Sequence, residues 1–245
     1  GSGNGHTGTP ASVSNATGIY MHSASYLTSS TGNAFGTAAS FNGSNSDVDA
    51  ASATATALGI NSSGAPRTTL CWASHSSWTS NDNLFAMGNN ATRQDWSLLT
   101  RNDGFLLNTW GDDLTWDGMT SDEKDNWFHV ATTYDGTTMR LYLNGTERAT
   151  RTPGTLNTAD NYPLRIGNDH GYNGNPWDGK IQEFAMFDES LGPVDILSIY
   201  NQQKGWISGS YSATSGSVAA AVVFGTAVHE GGKLATVDNV FASVV

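Results

Sequence analysis

The sequence predicts an all-β fold, two antiparallel sheets packed as a sandwich or jelly roll, and three observations lead there. Short apolar stretches recur at intervals of roughly 8 to 16 residues, separated by clusters of Gly, Asn, Asp and Ser. Only 13% of residues are charged, and Asn, Ser, Thr and Gly fill the places that Lys and Glu usually take, a composition that suits turns and strands better than helices. At 245 residues the chain is within the length that undivided β-sandwiches reach.

Residues 1–14 read as a Gly-rich arm or linker, opening on GSGNGHTGTP with no apolar period. The formal G-x-G-x-x-G at Gly3, Gly5 and Gly8 has no strand before it and no helix after it, so it fails the context of a dinucleotide site. From Ile19 to Asp49, GIYMHSASYLTSS and AASFNGSNSDVDA read as short strands broken by turns, followed by TTLCWASHSSW, NLFAMGN and DWSLLTRNDGFLLNTW. In WFHVATTYDGTTMRLYLNGTERAT, Phe128, Val130, Thr132 and Tyr134 share one face, and Trp127, His129, Ala131 and Thr133 share the other. Both faces are largely uncharged, which marks a central strand. Asp135-Gly136 turns the chain, Met139, Leu141 and Leu143 point opposite to Arg140 and Tyr142, and Asn144-Gly145 supplies the positive φ of a type I′ turn.

One helix is expected in SLGPVDILSIYNQQKG. Pro193 suits the first helical position, Ile196, Leu197 and Ile199 or Tyr200 form an apolar side, and Gly205 is the stop. Beyond it SVAAAVVFGTAV and LATVDNVFASVV are strand-like and nearly uncharged. Left as open edges they would aggregate, so this domain or another chain must cover them.

The formal net charge of -11 with 11 basic residues argues against nucleic acid and against anionic membrane as partners. No apolar run is long enough to span a bilayer. The chain begins at Gly1 without an initiator Met, as expected where a signal peptide, a longer precursor or a tag has been removed. Cys71 is the only cysteine, so no internal disulfide can form. Sequons occur at Asn15, Asn42, Asn61, Asn90 and Asn144, a frequency that an Asn-, Ser- and Thr-rich chain reaches by chance.

Three segments come in a telling order: Phe41, Gly43 and Val48; then Trp127, His129, Val130 and Ala131 with Tyr142, Asn144 and Gly145; then Ile166 and Gly167 leading to Gly179, Lys180, Ile181 and Glu183 before the helix. Together they resemble the laminin G-like, concanavalin A-like jelly rolls over residues 15–204, with the β-rich tail 205–245 outside the match. The resemblance implies two packed antiparallel sheets, often a calcium ion near one rim, and glycan or protein binding. It leaves the function open, because this fold hosts lectins, glucanases and structural modules.

A glycosidase needs two carboxyl groups about 5 to 9.5 Å apart. Glucanases of the resembling family carry them as Glu-x-Asp-x-x-Glu on one strand. The five Glu residues here, Glu123, Glu147, Glu183, Glu189 and Glu230, show no such pattern, and the nearest approach is Glu183 with Asp188. His229-Glu230 lacks the second His of a zincin, and no G-x-S-x-G elbow occurs. Cys71 and His75 would share a strand face, but a buried structural Cys is the simpler reading. His129 reads as structural, hydrogen-bonded to backbone.

For calcium, Asp113, Thr115, Asp117 and Gly118 imitate the start of an EF-hand, yet its twelfth position is Lys124. The family resemblance points instead to Asn45, Asp47, Asn168 and Asp169, for which solvated loop carboxylates and turn-forming Asn residues are the simpler reading. Trp72 and Trp127 look like core. Trp110, Trp116, Tyr172 and Trp177, beside Asp and Gly, are the ring platforms on which a sugar could stack, with packing under a loop as the alternative.

The expected function is therefore a non-catalytic glycan-binding or adhesion module on an outer surface, part of a larger assembly, partnered by a glycan or glycoprotein and not inserted in a membrane. The alternative is a structural decoration or appendage protein of a virion or surface filament. Its uncharged tail strands would then self-associate or complete a partner chain's sheet. A hydrolase would require carboxylates from separate strands to meet in a groove.

Overall fold

The computed structural model describes residues 17–22, 38–50, 54–79, 81–170, 174–207, 221–226, 228–230 and 233–235. The strands are β1 (Thr17–His22), β2 (Ala39–Asn42), β3 (Val48–Asp49), β4 (Arg67–His75), β5 (Asn83–Gly88), β6 (Ser97–Arg101), β7 (Gly104–Asn108) and β8 (Leu114–Asp117). They continue with β9 (Phe128–Tyr134), β10 (Met139–Leu143), β11 (Thr146–Arg151), β12 (Tyr162–Ile166), β13 (Asp178–Phe187), β14 (Ala221–Thr226), β15 (Val228–Glu230) and β16 (Lys233–Ala235). Among the described residues three helices interrupt them: α1 (Thr54–Ala57), α2 (Ser121–Asp125) and α3 (Pro193–Ile207).

Among the described residues one sheet has eight strands in the order β11-β10-β9-β4-β13-β1-β14, with β2 also on β13; a second has six, β3-β12-β5-β6-β7-β8; and β15 and β16 pair in a small third sheet. All pairings are antiparallel. The sandwich predicted from the strand spacing is thus present.

The alternation in β9 and β10 explains why the larger sheet is uncharged on both sides. Phe128, Val130, Tyr134, Met139, Leu141 and Leu143 enter the main core between the sheets. Ala131 and Tyr142, from the opposite face, join a second core with Leu70, Phe187, Ile196 and Ile199. Helix α3 therefore covers the outer face, as a sheet buried on both sides requires. It runs two residues past the expected stop at Gly205. Ile196 and Ile199 face the sheet, while Leu197, expected on the apolar side, is 44% exposed. Trp72 locks the helix down: its Nε1 donates to Gln203 Oε1 at 2.9 Å and its ring stacks on Tyr200.

The motif segments knit the sandwich end. Gly167, at φ 83°, lies under the Phe41 ring where a Cβ would overlap it. The Trp177 amide donates to the Gly167 carbonyl, and the Gly43 amide donates to the Trp177 carbonyl. Helix α2 carries a capping box: Thr120 accepts from the Glu123 amide, and the Glu123 carboxylate accepts from the Thr120 amide. The T-x-x-E spacing of Thr120 and Glu123 is the sequence signature of this cap.

Of the two coverings expected for the apolar tail, Ala221–Thr226 takes the first. All six residues pair with β1 in the chain's own sheet. The arm 1–14 and residues 236–245 lie outside the described residues.

Candidate ligand-binding corner

Among the described residues, six other than glycine have positive φ: Asn81, Asn102, Asn144, Arg93, Trp110 and Glu183. Asn tolerates that region and marks turns; a bulky side chain persists there only where its surroundings over-determine it. Glu183 sits at the irregularity where β13 shifts register against β4. The other two, Arg93 at 63° and Trp110 at 61°, are neighbours in space. They occupy the β5–β6 and β7–β8 connections at one end of the six-stranded sheet.

The restraints on both are explicit. The Arg93 amide donates to the Thr109 carbonyl at 2.7 Å, and the Asn157 amide to the Arg93 carbonyl at 2.8 Å. The Trp110 amide donates to Asn108 Oδ1 at 2.9 Å, and Asp113 Oδ1 accepts from the Thr109 and Gly111 amides. Asp112 ties three segments together: it accepts from Arg93 Nε at 2.5 Å, from Arg151 Nη2 at 3.2 Å and from the Gly154 amide at 3.0 Å. The Arg93 hydrogen bond holds the Asp112 carboxyl down at about 2. On this frame the Trp110 side chain stands 44% exposed, the only aromatic among the large exposed apolar residues described.

Beneath the corner lies a buried polar group. Asp95 Oδ1 accepts from Ser97 Oγ at 2.5 Å and pairs with His170 Nε2 at 2.9 Å, and its Oδ2 accepts from Asn108 Nδ2 at 2.7 Å. The same Asn108 amide holds the Trp110 backbone, so the carboxylate supports the platform through one side chain. Burial raises Asp95. Burial works against the charge on His170, yet the hydrogen bond to Asp95 raises it overall. Tyr162 stacks on the His170 ring at 5.0 Å between centroids.

The predicted platform residues separate. Trp110 is at the corner. Trp116, in β8, is half-buried against the main core with the Arg148 guanidinium 5.5 Å above its ring. Tyr172 lies outside the described residues. Trp177, expected on an exposed rim, is instead fully buried, packed edge-on against His75 and Phe128. It immediately precedes β13, where its backbone is fixed between Gly43 and Gly167, and this drives the indole into the core. Trp72 is core as expected, and Trp127 is only half-buried.

Of the calcium candidates Asp47, Asn168 and Asp169 come together around Arg165, and their oxygens are committed. Asp47 Oδ2 accepts from Asn168 Nδ2 at 3.3 Å, and Arg165 lies 3.9 Å from the same oxygen. Arg165 also grips Asp49 through two nitrogens. Asn45 Oδ1 accepts from Asn42 Nδ2, and Asn168 Oδ1 from the Asp169 amide. Burial raises the Asp169 carboxyl. A hard cation needs six to eight free oxygens; with a guanidinium and an amide donor at the carboxylates, these side chains as arranged do not fit one. Among the described residues no three acidic, His or Cys side chains gather as a metal site.

Cys71 is buried, which raises its thiol pKa and makes it inert. His75 is bound to Asp82 at 2.8 Å and accepts from the Ser77 amide. His129 departs from expectation: neither ring nitrogen has a partner among the described residues, and burial lowers its pKa to about 3. The link to Asn144 runs through the His129 backbone amide instead, which donates to Asn144 Oδ1.

The family model of the concanavalin A-like lectin/glucanases superfamily matches residues 42–197, well over half of the chain. The chain belongs to that superfamily. Among solved structures of this fold, Domain 4 of AbnA, a GH43 extracellular arabinanase from Geobacillus stearothermophilus solved with arabinotriose, is 21% identical. The match covers 75% of this chain and 97% of that one, with a TM-score of 0.50. The binding domain of botulinum neurotoxin DC, solved with rat synaptotagmin II, is 16% identical over 67% of this chain and 45% of its own, at a TM-score of 0.47. The serotype D binding domain is 18% identical over 57% and 36%, at 0.43. The chain thus spans less than half of either neurotoxin domain. No curated protein matches the sequence.

Proposed function

We propose that this jelly roll is a non-catalytic glycan-binding module of a secreted or surface-displayed protein, with Trp110 as its stacking platform. The observation that carries this reading is the conformation of Trp110. A large indole is held in a disfavoured backbone region and presented to solvent by hydrogen bonds from both flanking loops. Left-handed bulky residues concentrate at ligand clamps, and a rigid aromatic face binds a pyranose at little entropic cost. The carboxylates around it are engaged in holding loops, Asp95 by three side chains and Asp112 by two arginines. That suits recognition better than acid and base catalysis. A domain of the same fold that was solved with arabinotriose agrees with a sugar-binding role.

The test is a glycan array followed by calorimetry on hits, each with and without calcium, on the wild type and on Trp110→Ala. The platform reading expects a loss of about tenfold or more in affinity for Trp110→Ala with unchanged melting. A wild type that binds no glycan in either condition, or hits untouched by the substitution, would overturn it.

A further inference from the structure

We infer that the ligand of the Trp110 corner carries an acid group, a carboxylate or sulfate on a sugar, and that Arg93 and Arg151 read it. This rests on the glycan-binding reading above and adds the chemical class of the sugar.

The chain has only 11 basic residues, and several are engaged elsewhere. Arg67 is buried against Trp96 and Tyr134, Arg165 grips Asp49, Arg140 pairs with Asp135 and Glu147, and Arg148 pairs with Glu123. At the corner two arginines converge on one carboxylate, Asp112, with side chains 44% and 45% exposed. Among the described residues each touches it through a single nitrogen, Nε of Arg93 and Nη2 of Arg151. The Nη pair of Arg93 and the Nη1 of Arg151 therefore remain available to a ligand, and a guanidinium with a free edge matches the two oxygens of a carboxylate or sulfate.

Asp112 is also what places them. It holds both guanidiniums on the loop that carries Trp110, two positions along the chain from it, and the Arg93 amide bonds the Thr109 carbonyl beside it; on our inference the acid group of a ring stacked on the indole is set against these donors. Gly154 completes the arrangement: a Cβ there would overlap the Arg93 guanidinium, which therefore lies directly on the backbone. Asp113, capped by the Thr109 and Gly111 amides, brings the group of four to neutrality in a chain of net charge -11. Selection thus rests on directed hydrogen bonds and on the absence of local repulsion, not on a broad positive field.

The experiment is calorimetry on matched pairs: uronate oligosaccharides against their methyl esters, and sulfated oligosaccharides against their desulfated forms. The proteins are wild type, Arg151→Gln, Arg93→Gln and Trp110→Ala. The acid form should bind about tenfold more tightly than its neutral partner. Arg93→Gln and Arg151→Gln should each lower that preference several-fold, whereas Trp110→Ala should weaken acid and neutral forms alike. Whichever pair shows the preference identifies carboxylate or sulfate. Equal binding of acid and neutral forms, or a preference that survives both arginine substitutions, overturns the inference. If Trp110→Ala still weakens binding in that case, the glycan reading stands alone. If no sugar binds at all, both fall.

Discussion

His170 and Asp95, separated by 75 residues in the chain, meet through Nε2 and Oδ1 at 2.9 Å with each side chain only 1% exposed. The pair fastens the segment after β12 to the β5–β6 connection, and through Asn108 it reaches Trp110. Removing one partner of a buried pair strands the other, so Asp95→Ala should cost about 3 to 5 kcal/mol by chemical denaturation. The pH dependence has a definite sign. His170 is raised on folding, so its stabilisation is complete below the unfolded value near 6.5 and is lost as pH climbs through the folded value. Wild type should lose stability relative to His170→Gln as pH rises above about 6.5; parallel profiles would contradict this.

His129 has the opposite sign. It is buried neutral and lowered to about 3. Below about 6.5 the unfolded chain gains a proton that the folded one refuses, and stability should fall by about 1.4 kcal/mol per pH unit from this group. Urea unfolding from pH 7 to 4 on wild type and His129→Phe checks it. An acid limb equally steep in the variant would remove His129 as its cause.

The two faces of α3 should respond differently to truncation. Ile199, fully buried over the eight-stranded sheet, should cost about 2 to 5 kcal/mol as Ile199→Ala. Leu197, at 44% exposure, should cost under about 1 kcal/mol as Leu197→Ala. Comparable losses at both positions would mean that the helix is docked in another rotation.

Gly167 is required twice over, by its φ of 83° and by the Phe41 ring above it. Gly167→Ala should therefore lower stability by about 2 kcal/mol or more, from backbone strain and overlap together. A substitution that leaves the melting temperature unchanged would show that the ring is free to move away.

Because β14 completes the chain's own sheet, the full chain should be a monomer by light scattering. Ending the chain at Ile207 removes that strand and uncovers β1 as an edge, so the shortened form should melt lower or associate. A full chain that assembles and a shortened one that is monomeric would instead restore the tail as an assembly element.

The sandwich, the β9–β10–β11 meander and helix α3 were legible in the sequence because they are written in local signals. Alternation marks the strand faces, Asn144-Gly145 demands its turn, and Pro193 opens the helix. The order of the motif segments reflects the same economy, since Phe41 and Gly167 must come together to close one end. Composition likewise argued against nucleic acid without reference to any contact. The corner was different. Trp110 could be named from its polar neighbours, but so could Trp177, and only packing separates an exposed indole from a buried one. Arg93, Asp95, Asn108, Asp112, Arg151 and His170 carry no pattern in the chain. They act through hydrogen bonds between loops far apart in sequence, and whether a polar side chain faces solvent, a buried partner or a ligand is settled by what the folded sheets bring beside it.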